Sequence, residues 1–230
     1  MRTFICSRMI QSIASGVMAL AACGEGHGNR IDAPLAVALD CTTYCSEIET
    51  HCTGLNAQFP TMAQCTATCA KFTTPGALSD MTGNTLGCRI YHAGDPSRRT
   101  PTVHCVHAGP AGAQTNAAAG QCGDACTSFC SLNLATCTGT LAQYAGMASC
   151  LTACNTGDPT ATSPIPPFNK TSTYIIDTTT TLPVTPMGNS LACRIYHTTN
   201  AALDAAHAMA HCSHTAQVPA AGTPCSMPIP

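Results

Sequence analysis

Histidine carries most of the chemical potential of this chain. Of 9 histidines, six fall at matching places in two stretches: His92, His104 and His107, then His197, His211 and His214. His104 and His107 are three apart, so they share a face if their segment is helical. His92 stands one helical turn after Cys88, and a disulfide there can draw it towards the pair. Three neutral imidazoles can hold zinc or copper with one position open, and two can hold a haem iron. The competing reading is structural: imidazoles that cap helices or hydrogen-bond carbonyls in a stapled domain. The triplet lacks a recognised ligand spacing such as H-E-x-x-H, and there is no Cys-x2-Cys-His for covalent haem. The neighbouring cysteines are poor ligands if bridged, because metals take thiolates.

Other chemistry is sparse. Arg89 and Arg194 are the matched charged residues; a structural ion pair is the expected role, and anion binding the alternative. The chain has no G-x-S-x-G, P-loop, G-x-G-x-x-G or thioredoxin-type Cys-x2-Cys. Its carboxylates are scattered. No enzymatic activity and no resident cofactor are expected, a histidine-held metal ion being the one exception.

The elements that carry these residues are written twice. Cys41, Cys45, Cys52, Cys65 and Cys69 recur 85 residues on as Cys126, Cys130, Cys137, Cys150 and Cys154. The run Gly83-Asn84-Thr85-Leu86-Gly87-Cys88-Arg89-Ile90-Tyr91-His92 returns as Gly188 to His197, and His104-Cys105-Val106-His107 as His211-Cys212-Ser213-His214. Cys122 and Cys225 close the two copies, and Cys88 and Cys193 complete eight cysteines each. An even count per copy points to a disulfide framework.

The coarse structure is helical. Cys41, Cys45, Ile48 and Cys52 lie on one helical stripe. Thr61 can cap a second helix bearing Met62, Cys65 and Cys69, and a third helix starts at Asn84. Two Cys-x3-Cys pairs on antiparallel helices suit nested bridges, Cys41 with Cys69 and Cys45 with Cys65. For the rest, Cys52 with Cys88 and Cys105 with Cys122 is the expected pairing among the 105 that eight cysteines allow. The second copy carries a Thr- and Pro-rich insertion within 155–187. It is expected to be an exposed excursion, with at most a brief strand at Tyr174 to Ile176, or else disordered. The tail from Pro219 is expected to be extended.

Composition supports a stapled scaffold. The chain has 18 Cys, no Trp, 5 Tyr and 5 Phe, too few large apolar side chains for an ordinary core. Four bridges per copy, at about 2 to 4 kcal/mol each, would supply what such a core lacks. Cysteine at this density indicates an oxidising compartment. With 9 basic and 11 acidic residues and a formal charge of −2, the chain lacks the basic surface that nucleic acid requires.

Arg2 and Arg8 precede an apolar stretch from Met9 to Ala22 that ends Leu20-Ala21-Ala22-Cys23. This ending resembles the lipobox of bacterial lipoproteins, cleaved before the cysteine by signal peptidase II. The resemblance implies lipid (palmitate) attachment at Cys23, and Gly24 rather than Asp after it implies the outer membrane. Gly24 to Arg30 reads as a flexible tether. The hairpins resemble α-hairpin peptides and other twin Cys-x3-Cys folds, which implies fold only. The whole layout, with its CR-x-YH and HC-x-H phrases, resembles uncharacterised cysteine-rich lipoproteins of myxobacterial type, which carry no activity to transfer.

The expected chain is therefore mainly α and disulfide-rich, with two tandem small modules. Each is a Cys-x3-Cys helical hairpin plus a third helix with irregular loops. Residues 1–22 are a signal peptide, 23–40 a lipidated tether, 41–122 the first module, 126–225 the second with its loop at 155–187, and 226–230 a tail. The expected function is a binding or structural role on the bacterial cell envelope, towards an unknown protein or envelope partner, with the membrane reached through the lipid. The alternative is a histidine-based copper, zinc or haem protein with a binding or redox role. A third reading is a secreted inhibitor or toxin-like module.

Overall fold

The computed structural model describes residues 37–113, 120–171, 174 and 188–226. The expected signal peptide, the expected lipid site Cys23 and its expected tether, Ile175 and Ile176, and the last four residues lie outside them. The described residues fall in one compact unit.

Nine helices are described: α1 Cys41–His51, α2 Met62–Cys69, α3 Leu86–Ala93, α4 Asp95–Arg99, α5 Pro101–Ala108, α6 Ala125–Thr136, α7 Met147–Asn155, α8 Leu191–Ala201 and α9 Ala205–His211. Pairing of extended backbone is limited, among the described residues, to isolated bridges at Asp158–Ile165 and Asn169–Ser190. None of the described helices is long and apolar enough to cross a membrane.

Short polar residues set the helix starts. Asp40, Thr61, Thr85, Asp124, Ser190 and Asp204 each accept the backbone N–H three residues on, which satisfies an otherwise orphaned donor. The third helix begins at Leu86 because Thr85, not Asn84, takes the cap. Pro101 opens α5, where a missing N–H costs nothing.

The eight bridges all close within one copy. Cys41–Cys69 and Cys45–Cys65 are nested across α1 and α2, and Cys126–Cys154 and Cys130–Cys150 repeat them across α6 and α7. The other expected pairing is corrected. Cys52 joins Cys105, and Cys88 joins Cys122, with Cys137–Cys212 and Cys193–Cys225 as counterparts. Cys52 caps the C-terminus of α1, where the buried face of α5 reaches it; Cys88 faces the closing segment at Gln121 instead.

Small aromatic clusters complete each core. Tyr44 and Phe59 meet edge to face, ring centroids 6.3 Å apart, and the Tyr44 hydroxyl donates to the Ala108 carbonyl at 2.8 Å. In the second copy the residue types are exchanged. Phe129 and Tyr144 meet edge to face at 6.2 Å, and Tyr144 donates to the Thr215 carbonyl at 2.6 Å.

The two arginines are fully buried, and the expected ion pair is absent among the described residues. Arg89 donates to the carbonyls of Gly109 and Thr85 and to Ser128 Oγ, with its guanidinium 4.4 Å from the Phe72 ring centre. Arg194 donates to the carbonyls of Ala216, Gln217 and Ser190, 3.8 Å from the Phe168 ring centre. Burial lowers both pKa values to about 10, which leaves each charged near neutrality. Carbonyl dipoles and a ring quadrupole replace a carboxylate. Each arginine thereby ties α3 or α8 to the segment that follows the histidine pair.

Most described residues of the insertion between 155 and 171 are exposed, and Phe168 is an exception that anchors it. It is buried and does for Arg194 what Phe72 does for Arg89. Tyr174 is also buried, and its hydroxyl donates to the Gln58 carbonyl of the first copy at 3.2 Å. A second buried link across the copies runs from Gln64 Nε2 to Thr199 Oγ1 at 3.1 Å. Two aromatic side chains in a tract otherwise short of them repay burial, which overrides its polar composition.

Candidate functional site

Three helical turns bring the histidines of each copy together. His92 lies near the end of α3, held from below by the Cys88–Cys122 bridge. His104 and His107 lie on one face of α5, and the bridge from Cys105 to Cys52 sits between them. The ring nitrogens of His92, His104 and His107 come within 4.8 Å of one another. The second copy assembles His197 from α8, His211 from the end of α9 and His214 from the 3-10 turn Cys212–Thr215 to the same standard.

The approach is closest at Nδ1. His92 Nδ1 stands 2.9 Å from His104 Nδ1. His197 Nδ1 stands 2.9 Å from His211 Nδ1 and 3.2 Å from His214 Nδ1. Ligands at a metal–nitrogen distance of about 2.05 Å in a tetrahedral set lie about 3.3 Å apart, so these close pairs need open by only a few tenths of an ångström, and the remaining nitrogens, within 4.8 Å, close inward. In the second triad a single N–H on His197 Nδ1 would have to be shared between two acceptors, whereas one cation can be ligated by all three nitrogens.

His92 is also oriented from outside. Its Nε2 donates to the Met81 carbonyl at 3.1 Å. A carbonyl only accepts, so Nε2 carries the hydrogen and Nδ1 presents its lone pair to the cluster. His107 Nδ1 and His197 Nε2 are buried without a hydrogen-bond partner among the described residues. The triads contain no carboxylate.

Burial holds these imidazoles neutral. It lowers His107 to about 4 and His197 to about 3, the neighbouring histidines adding to the shift, and it also lowers His92, His211 and His214. In the unfolded chain the same rings titrate near 6.5. Between the two values the unfolded chain binds more protons, so stability is retained above about pH 6.5 and lost progressively below it. The urea midpoint of the metal-free protein should therefore be level from pH 8 to 7 and fall from pH 6.5 to 4.5. A level midpoint across the lower range would show that the rings are not buried as described.

Cys88 and Cys122 lie as close to His92 as the other imidazoles do, and Cys193 and Cys225 stand likewise beside His197. As disulfides these sulfurs brace the ring rather than offer thiolates.

The repeat logic of the sequence missed His207, because Thr100 occupies the corresponding place in the first copy. The signal was its four-residue spacing from His211 on one helix, behind the cap Asp204. The rings of His207 and His211 stack at 6.1 Å. His207 Nδ1 lies 2.8 Å from Asp204 Oδ2, an ion-pair contact without hydrogen-bond alignment.

Eight disulfides are consistent with an oxidising extracellular or envelope environment. No curated protein and no solved structure matches the chain. A family model, the BfoA family C-terminal domain, matches residues 7–125. That span takes in the whole of the first copy with its triad. It covers more than half of the 230 residues, and the chain belongs to the BfoA C-terminal domain family.

Proposed function

We propose that this protein binds two metal ions, copper or zinc, through His92, His104 and His107 and through His197, His211 and His214. The carrying observation is the convergence of three imidazole nitrogens within 4.8 Å, made twice by separate helices. All-nitrogen sets without thiolate or carboxylate suit copper(II) and zinc. Ring nitrogens 2.9 Å apart are too close to flank a porphyrin, whose axial ligands take opposite faces of the iron, so the haem option is set aside.

The Leu20-Ala21-Ala22-Cys23 ending supports a lipid on Cys23 and a place on the bacterial outer membrane. Docking of an envelope partner would then use the same tethered body. The metal acts as a bound centre on that body, and no enzymatic step is assigned to it.

The test is elemental analysis of the oxidised, full-length protein after loading with copper(II) or zinc and dialysis. Two ions per chain are expected, with a rise in melting temperature because the ion binds only the folded state. Protein that retains neither ion and shows no shift overturns the reading.

A further inference from the structure

The two triads resemble each other in their three imidazoles and differ in what stands beside them. On the second, α9 extends one turn back from His211 and places His207 there. Its ring centre lies 6.1 Å from that of His211, close to the 5.9 Å between His211 and His214. Its nitrogens are not among those that converge within 4.8 Å, so the ring must turn to join them, and its side chain is 43% exposed. Its Nδ1 faces Asp204 at 2.8 Å, which leaves Nε2 as the nitrogen available for coordination.

On the first, α5 begins at Pro101, and the place of His207 is taken by Thr100. Thr100 lines a cleft of about 450 Å³ together with Tyr91, Asp95, Pro96, Arg99 and His104. His104 is thus both a member of the triad and a wall of the cleft. Arg99 brings a cation to the same space; its guanidinium lies 3.4 Å from Asp95 and is 72% exposed.

We propose that the two sites divide into a closed and an open centre: His207 supplies a fourth imidazole to the second, and the first keeps a free position that takes a small anionic ligand from the Arg99-lined cleft. The inference rests on both triads binding metal. A four-nitrogen centre has no vacancy for an exogenous ligand, whereas a three-nitrogen centre keeps one. A negative donor at that vacancy gains from the ion and from Arg99 together.

The full chain loaded with two cobalt(II) ions tests this, with azide as the probe ligand and the visible absorption of cobalt as the readout. Azide should titrate one cobalt per chain in the wild type and two in His207→Ala. It should titrate none in Thr100→His, which supplies the missing imidazole to the first site. Azide at both sites or at neither in the wild type overturns the division, as does a His207→Ala protein that still takes one. Failure to load cobalt at all would instead overturn the metal reading on which this one stands.

Discussion

Replacing His104 and His211 together by Ala should weaken metal binding at both sites by about 100-fold while all eight disulfides still form. Structural zinc sites with four ligands bind with about 10 to 16 kcal/mol, or about 3 kcal/mol per ligand, which corresponds to about two decades in affinity. Each of these residues stands 2.9 Å from the central histidine of its triad, and each is only half-buried, so truncation leaves little cavity. Competition titration with a chromophoric chelator measures the affinities, and mass spectrometry of the unreduced protein counts the bridges. Unchanged affinity with intact bridges would place the ions elsewhere. His104→Ala alone should affect one ion of two, because the triads use no residue in common.

Removing the bridge between Cys137 and Cys212, by Ala at both positions, should cause the largest stability loss of any single bridge. It closes the longest loop, 75 residues against 20 for Cys45–Cys65. Chain-entropy reasoning gives about 4.5 kcal/mol for the first and about 3 kcal/mol for the second. Cys212 also lies between His211 and His214, so the same change frees the turn that aims two ligands. Calorimetry should show the drop in melting temperature, and metal analysis should find one tightly held ion instead of two. Two tightly held ions after this change would mean that the turn needs no staple. Ala at Cys45 and Cys65 should lower stability by less and keep both ions, because that bridge holds the hairpin far from the imidazoles in sequence.

Local periodicity made the hairpins legible and could not reach the long-range closures. Cys41, Cys45, Cys65 and Cys69 lie four apart on two helices, and that spacing alone aligns them. The partner of Cys52 depends on which helix, α3 or α5, packs against the end of α1, and no spacing encodes this. The histidines were legible as a set because they recur. Their convergence was not, since it requires α3 and α5, and α8 and α9, to cross at the right place. Recurrence also concealed: His207 has no twin and so stood outside the pattern. Composition showed the exposed insertion but not its anchors, the one Phe and one Tyr that a Thr- and Pro-rich tract holds. Arg89 and Arg194 were legible as matched residues but not as buried ones, since carbonyl partners leave no mark in a sequence.

The exchange of Tyr44 and Phe59 for Phe129 and Tyr144 bears on what is being kept. The two hydroxyls start from different elements, an α-helix in one copy and an irregular loop in the other. Both end on the carbonyl one residue after the second histidine of the pair, Ala108 after His107 and Thr215 after His214. The invariant is therefore an address rather than a residue: one phenol delivered to one oxygen, from whichever side of an edge-to-face pair can supply it. Such a tether fixes how far the histidine-bearing segment can slide along its neighbours. It gives the fold two interchangeable ways of setting the depth of its imidazoles.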